Sequence, residues 1–212
     1  MERSGRPTVS LTTVGCKLNQ YETEGLAERF ERAGYDIVPD GRPADVCVVN
    51  TCTVTTRSDY RSRQMLRRGA RRSGLVVATG CYAEREPDAL AGMPEVSLVV
   101  GNGSRGELVD LVGDALAGRS VERLHHGRID PTLCDGYDVS DFRGHTRAFL
   151  KIQDGCDHRC TYCAVPGARG PSRSRPGRDV IGQLGRLAEA GYREVVLTGV
   201  HIGCYEDPEA ET

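Results

Sequence analysis

Between residues 8 and 118 the apolar positions form short continuous runs, separated by stretches where they recur every three or four residues. The runs "TVSLTTVG" (8–15), "DVCVVN" (45–50), "LVVATG" (75–80) and "SLVVGNGS" (97–104) read as strands. The intervening periodic stretches read as helices over 21–34, 58–74 and 107–118. The first carries Leu26, Phe30 and Ala33 on one stripe and ends at Gly34, and the second takes Ser58 as its N-cap. Strands with few polar alternations between helices predict a parallel sheet covered on both faces. Residues 119–145 are polar, with Gly, Pro and Asp scattered through them, and read as a linker with an edge strand. A strand at 147–153, a helix at 178–191 and a strand at 194–203 then begin a second β-α-β unit.

Composition narrows this picture. With 38% hydrophobic and 27% charged residues the 212-residue chain has a soluble, globular balance. Aromatic residues make up only 5% and Trp is absent, so Val, Leu, Ile and Ala must build the core. No apolar run is long enough to cross a bilayer, and the N-terminal "MERSGRPTVS" has no apolar signal core. The expected location is therefore the cytoplasm, with no membrane partner. In a reducing compartment the nine cysteines are better metal ligands or core thiols than disulfides. A net charge of −2 gives no pointer to nucleic acid, although it can mask a local basic patch.

The cysteines fall at telling places. Cys16, Cys52 and Cys81 each follow one of the first three strands. Parallel strands share one carboxyl-end edge, the edge where open α/β sheets bind ligands, so three distant loops deliver three thiols to one place. Gly15 and Gly80 precede two of them and would let the backbone approach a bulky group. Cys47 lies inside a strand and reads as core. Cys134 and Cys204 have no partner at useful spacing.

In "QDGCDHRCTYCAVP" (153–166), Cys156, Cys160 and Cys163 form C-x3-C-x2-C directly after a strand. One reading is a zinc site on Cys160 and Cys163, completed by Cys156 and by His158 or Cys204. That spacing is poor, because structural zinc usually takes its ligands as two separated pairs. Three cysteines alone suit a cubane of four irons with one iron left open.

This signature, with Tyr162 before the last cysteine, resembles that of the radical S-adenosylmethionine (radical SAM) enzymes. The surrounding "KIQDGCDHRCTYCAVPGARGPSRSRP", with "VGCKLNQYETE", "VVNTCTVT" and "VVATGCYAE" before it, is similar to the methylthiotransferase branch, and the match runs from about Thr8 to Gly203. The resemblance implies a Rossmann-like parallel-sheet methylthiotransferase domain over 7–119, a linker over 120–145, and the start of a radical SAM partial β/α barrel over 146–212. It implies two 4Fe-4S clusters. One, on Cys156, Cys160 and Cys163, would bind S-adenosyl-L-methionine beside Tyr162 and cleave it to a 5′-deoxyadenosyl radical. The other, on Cys16, Cys52 and Cys81, would carry the sulfur to be inserted, and a second SAM would supply the methyl group. A radical suits a C–H bond that no base can deprotonate, and the cofactor carries that step.

Lys17, Leu18 and Asn19 after the first cysteine look most like the branch that adds a methylthio group to C2 of N6-threonylcarbamoyladenosine at position 37 of tRNA. Branches acting on isopentenyladenosine or on a ribosomal protein are the alternatives. The expected partners are tRNA and an electron donor such as flavodoxin or ferredoxin. The sequence assigns no general acid or base. Two arginine runs could flank an RNA path: seven residues between Arg57 and Arg72, and Arg169, Arg173, Arg175 and Arg178. For the first run a solvated helix face is an equal reading. The second run could equally contact SAM or the N-terminal domain. The family's barrel has about six strands and is followed by a small RNA-binding β domain, whereas this chain holds two barrel strands. A cluster-binding fragment without catalysis is therefore a further reading.

Overall fold

The computed structural model describes residues 5–134, 136–137 and 139–210. The first four residues of the N-terminal segment read above, Asp135 and Asp138 in the linker, and the last two residues of the barrel segment lie outside the described residues.

The chain opens with β1 (Thr8–Thr13), α1 (Lys17–Arg32), β2 (Asp36–Val38), β3 (Ala44–Thr51), α2 (Thr56–Ala70) and β4 (Ser73–Gly80). Next come α3 (Cys81–Arg85), α4 (Pro87–Ala91), β5 (Leu98–Val100), a 3-10 turn at Asn102–Glu107, α5 (Leu108–Leu116) and β6 (Leu124–His125). The six strands form one sheet in the order β2-β1-β3-β4-β5-β6. Every pairing in it is parallel.

Successive side chains of a strand face opposite ways, and the buried sets follow that alternation. Val46, Val48, Val77, Leu98 and Val100 face one way, toward Tyr21, Leu26 and Phe30 of α1 and toward α5. Cys47, Val49, Val76, Ala78 and Val99 face the other way, toward Leu66 of α2, Ala83 of α3 and Leu90 of α4. Both faces are covered, which explains strands that read as continuous apolar runs. Cys47 is core, and a Cβ added at Gly69 of α2 would stand 2.6 Å from its Sγ.

The second unit consists of β7 (Ala148–Lys151), β8 (Gln153–Asp154), α6 (Val165–Arg169), β9 (Arg173–Ser174), α7 (Gly177–Glu189) and β10 (Val195–Thr198). β7 and β10 pair in parallel, Ala148 opposite Val195 through Lys151 opposite Thr198. β8 and β9 form a two-residue antiparallel clasp, Gln153 with Ser174 and Asp154 with Arg173. The clasp closes the loop that carries Cys156, Cys160 and Cys163.

The segment between the units is not a loose tether. β6 is the edge strand expected there. Tyr137, Val139 and Phe142 are buried in one apolar core with Tyr21 and Leu26 of the first unit and Phe149 and Leu187 of the second. Phe142 stacks edge-on to Phe149 and Tyr192, at centroid distances of 5.8 and 6.0 Å. The Tyr21 hydroxyl donates to the Tyr137 carbonyl. Gln183 of α7 donates to the carbonyls of Tyr137 and Val139, both at 3.1 Å.

Several boundaries differ from the pattern-based expectation. α1 starts at Lys17, not Tyr21, directly behind Cys16. α2 is capped by Thr55, whose side chain accepts from the Ser58 N–H; Ser58 returns the bond as the third helical residue of a capping box. Residues 73–74, expected to end that helix, begin β4 instead. The short elements β2, α3, α4 and α6 have no periodic signature.

Candidate metal centre

Cys16, Cys52 and Cys81 line one cavity of about 250 Å³ at the carboxyl edge of the six-stranded sheet. Cys16 is the N-cap of α1, Cys52 follows β3, and Cys81 is the first residue of α3. Cys52 and Cys81 are buried, and Cys16 is exposed. The positive end of α1 thus meets the cavity beside a thiol.

Polar side chains fix these ends. Asn19 donates through Nδ2 to the carbonyls of Val14 and Thr51, at 2.7 and 3.0 Å, tying the exits of β1 and β3 together. Asn50 donates to the Asn19 carbonyl at 3.0 Å. Ser62 of α2 accepts from the Cys52 N–H and donates to the Cys52 carbonyl. Thr51 donates to the Thr79 carbonyl at 2.6 Å and holds β3 to β4. Gly15 and Gly80 both have positive φ, +121° and +92°. Their missing side chains make room for protein: a Cβ at Gly80 would stand 2.3 Å from Asn50 Oδ1, and one at Gly15 2.9 Å from Cys52 Cβ.

The far wall belongs to the second unit. Ala164, Val165, Ala168 and Arg169, just past the last cysteine, and Thr198, Gly199 and Val200, at the end of β10, complete the cavity. The carboxyl ends of both parallel sheets therefore face one space.

Arg169 is the hinge of its electrostatics. Nη1 donates to Glu22 Oε1 at 2.9 Å and Asp154 Oδ1 at 3.0 Å. Nη2 donates to Asn19 Oδ1 at 2.7 Å and Glu22 Oε2 at 3.1 Å. Arg105 pairs with Glu22 at 2.8 Å, and Lys151 pairs with Asp154 at 3.1 Å and Glu22 at 3.7 Å. Arg173 stands 3.7 Å from Asp154. All six side chains are buried, so the two carboxylates face four cations. Burial would raise the Glu22 carboxyl, but Arg105, Arg169 and Lys151 outweigh it and hold it down at about 2. Burial pushes the Cys81 thiol up to about 11, and Arg169 is the strongest opposing influence. A cavity with three thiols beside an excess of buried positive charge fits a thiolate-bound metal cluster, whose ligands bring the matching negative charge.

The second cysteine loop is more open. Cys156 and Cys163 are half-buried, Cys160 is exposed, and Tyr162 is 89% exposed. The Cys156 N–H donates to the Gly170 carbonyl, and the Cys163 N–H to the Cys160 carbonyl. Gly155, at φ +72°, sits where a Cβ would strike the Pro171 carbonyl oxygen at 1.9 Å. Gln153 binds the carbonyls of Asp154 and Gly155 through Nε2 and the His201 N–H through Oε1, joining this loop to the end of β10. Neither thiol trio closes to within 4.8 Å among the described residues; Cys156, His158 and His201 do. The donor set of the loop, three thiols on an accessible arc, still fits a cluster that must meet a small-molecule cofactor.

Two family profiles match the chain: the Uncharacterized protein family UPF0004 over residues 8–101 and the Radical SAM superfamily over 150–212. The Threonylcarbamoyladenosine tRNA methylthiotransferase MtaB of Bacillus subtilis (strain 168) is 42% identical over 204 residues, 93% of this chain and 44% of that protein. The protein of the same name from Aquifex aeolicus (strain VF5) is 39% identical, over 93% of this chain and 48% of its own length. The tRNA-2-methylthio-N(6)-dimethylallyladenosine synthase of Sorangium cellulosum (strain So ce56) is 33% identical, over 95% of this chain and 43% of its own.

The chain belongs to the radical SAM methylthiotransferases.

It spans less than half the length of the three curated relatives just described. Membership in this family implies S-adenosylmethionine and iron–sulfur chemistry. Among the described residues no helix is long and apolar enough to cross a membrane.

The arginine runs separate in this chain. Arg169, Arg173 and Arg175 are buried, Arg169 and Arg175 bonding across to Glu22 and Tyr21 of the first unit and Arg173 bracing its own loop, so of the expected second RNA-facing run only Arg178 is exposed. Arg175 donates to the Lys151 carbonyl at 3.0 Å and Gln183 Oε1 at 2.7 Å. On α2, Arg57, Arg61, Arg67 and Arg68 are exposed, as are Arg71 and Arg72 just past its end, and only Arg63 turns inward, to the Tyr82 hydroxyl at 2.6 Å. The residues that sequence reading missed are Asn19, Asn50, Glu22 and Asp154. Their only signal is a polar or charged residue at a strand end or on a helix stripe otherwise filled by core residues.

Proposed function

We propose that this chain is the amino-terminal part of a tRNA methylthiotransferase that adds a methylthio group to C2 of N6-threonylcarbamoyladenosine at position 37. In this reading Cys16, Cys52 and Cys81 hold one 4Fe-4S cluster, and Cys156, Cys160 and Cys163 hold a second that binds S-adenosyl-L-methionine beside Tyr162. When bound, these groups supply the radical, the sulfur and the methyl group. The protein's part is placement: Asn19 and Ser62 fix the loops of the first trio, Gln153 fixes the second loop, and apolar Leu18, Val54, Val165 and Val200 limit water in the shared cavity.

One observation carries the proposal. Three thiols from three separate strand ends share a cavity whose opposite wall follows the radical SAM cysteine loop directly. Sulfur delivery and radical generation then occur on two sides of one space. The division into a domain over 7–119, a linker over 120–145 and a barrel segment over 146–212 belongs to this proposal. So do a cytoplasmic location, tRNA as substrate, and a flavodoxin- or ferredoxin-type electron donor. The exposed arginines of α2 are the surface suited to tRNA phosphates.

The test is anaerobic reconstitution with iron and sulfide, followed by SAM and dithionite. Two clusters per chain are expected, one lost in the C16S/C52S/C81S variant and the other in C156S/C160S/C163S. Iron binding that survives both triple substitutions would refute the ligand assignment. Release of 5′-deoxyadenosine would show that this length of chain suffices for SAM cleavage. Two clusters without cleavage would favour the cluster-binding fragment. Replacing Arg67, Arg68, Arg71 and Arg72 by Glu should flatten the salt dependence of tRNA binding, and an unchanged slope removes the RNA surface.

A further inference from the structure

Behind Arg169, away from the thiols, a smaller pocket of about 90 Å³ lies between the units. Arg105, Lys151 and Arg173 line it and not the thiol cavity, whereas Arg169 lines both. Arg169 and Lys151 direct their donors to Glu22 and Asp154. Arg105 and Arg173 do not complete theirs. Arg105 binds Glu22 and Asn102 through its terminal nitrogens, and Arg173 binds the Arg169 and Pro171 carbonyls through Nη1. The Nε of each is buried with no hydrogen-bond partner among the described residues. The two residues are only 4% and 8% exposed. Arg128, at the rim, is exposed and pairs with no carboxylate among the described residues. The Asp130 carboxylate on the same rim instead accepts from the Thr132 N–H and hydroxyl, both at 2.7 Å.

We propose that this pocket binds a free inorganic oxyanion of phosphate or sulfate size. A buried guanidinium N–H without an acceptor is costly, and two at one pocket call for an acceptor that carries charge. Five cationic side chains line the space, against the carboxylates of Asp130 and Asp154 and that of Glu22 behind them, so the balance stays positive. Of the five only Arg169 lines the thiol cavity, so a metal cluster there does not supply the missing acceptors. Size selects the class of ligand. The volume is far below the roughly 300 Å³ at which pockets for drug-sized molecules begin, which excludes a nucleotide and leaves room for one small oxyanion. An RNA backbone phosphate is excluded by its attached sugars, because the two Nε donors lie on buried side chains. A tetrahedral oxyanion offers an oxygen to each of the three arginines, in the charge-assisted bonds that guanidinium groups favour. Arg105 comes from the 3-10 turn after β5, Arg128 from the segment between the units and Arg173 from β9. The bound anion therefore fastens both units and the joining segment at one point.

Equilibrium dialysis of the reduced, metal-free 212-residue chain against radiolabelled inorganic phosphate, at fixed ionic strength, is the test. One phosphate per chain is expected, displaced by sulfate but not by dimethyl phosphate, which stands in for an RNA backbone phosphate. The urea midpoint should rise with phosphate and level off well below the concentrations at which phosphate stabilises proteins in general. R128M removes an exposed donor; it should leave the phosphate-free midpoint unchanged and weaken phosphate binding about tenfold, the value of one charge-assisted hydrogen bond. R173K keeps the charge, removes the Nε donor and should weaken binding by a similar factor. R119M, at an exposed arginine past α5 that pairs with Asp114, should leave binding unchanged. Absence of saturable phosphate binding overturns the proposal. So does binding that R128M and R173K both leave intact, binding that R119M weakens as much, or equal binding of dimethyl phosphate. The readouts involve neither iron nor SAM, so this site and the methylthiotransferase reading stand or fall separately.

Discussion

Replacing Arg169 by Met keeps the length and apolar stem of the side chain but removes its charge and donors. Five charge-assisted contacts disappear: two to Glu22, two to Asp154 and one to Asn19. Removing one partner from a buried ion pair costs about 3–5 kcal/mol, because the charge left behind is uncompensated. Here the carboxylates are not abandoned. Glu22 keeps Arg105 at 2.8 Å, and Asp154 keeps Lys151 at 3.1 Å. The buried set also starts with an excess of cations, so losing one reduces their mutual repulsion. The expected loss for R169M is therefore at the lower end, about 3 kcal/mol. In a double-mutant cycle with E22Q the two losses should fall short of additivity by about 0.5–3 kcal/mol, the range for residues in one network. Urea unfolding followed by far-UV circular dichroism measures both, since the chain has no Trp to report by fluorescence. A loss below about 1 kcal/mol, or strict additivity with E22Q, would refute the reading of Arg169 as the link between the two units.

Three further outcomes are expected. Glu22 is held at about 2, below its ordinary 4.5, so its contribution is fully present above pH 4.5 and is lost as pH falls toward 2. That contribution is on the order of 3 kcal/mol, and E22Q should remove this part of the acid dependence in urea titrations across that window. Gly80→Ala meets both a φ of +92° and a Cβ position 2.6 Å from the Thr51 carbonyl oxygen; it should cost at least about 1–3 kcal/mol and speed alkylation of Cys81, whereas an unchanged urea midpoint would contradict the local geometry. Gly25→Ala would push a Cβ to 2.1 Å from the Tyr137 ring; the overpacking should cost about 1–3 kcal/mol and expose the 119–145 segment to proteolysis, and full protease resistance would count against the packed linker.

The sheet was legible because its strands are buried on both faces. "DVCVVN" and "LVVATG" leave no polar alternation to confuse strand with surface, and the thiols at their ends follow from parallel direction alone. The start of α1 was hidden because its inward stripe includes Asn19, Glu22 and Thr23 as well as Leu18 and Tyr21. A polar residue on that stripe breaks the apolar period, and its burial makes sense only once Arg169 arrives from 147 positions later, as it does for Glu22. Of the three readings open for the arginines after Cys163, Arg169 and Arg175 take the one toward the N-terminal domain, which spacing alone could not single out. A charged run is ordinarily solvated, and nothing local says that Glu22 and Asp154 await it. Helices such as α3 and α6, five residues each, are too short to display a period. Thr55 rather than Ser58 caps α2 because a capping box uses both hydroxyls, and spacing alone does not rank them.

The borrowed far wall of the thiol cavity has a consequence for biogenesis. As the polypeptide emerges, Cys16, Cys52 and Cys81 can be gathered by the first sheet long before Ala168, Arg169 and Val200 exist to roof them. Until then the nascent pocket is an uncovered bowl, open to oxygen and adventitious ions. On the ligand set proposed above, metal loading is best protected once residue 200 has left the ribosome, and a product stalled short of it would leave the three thiols unroofed.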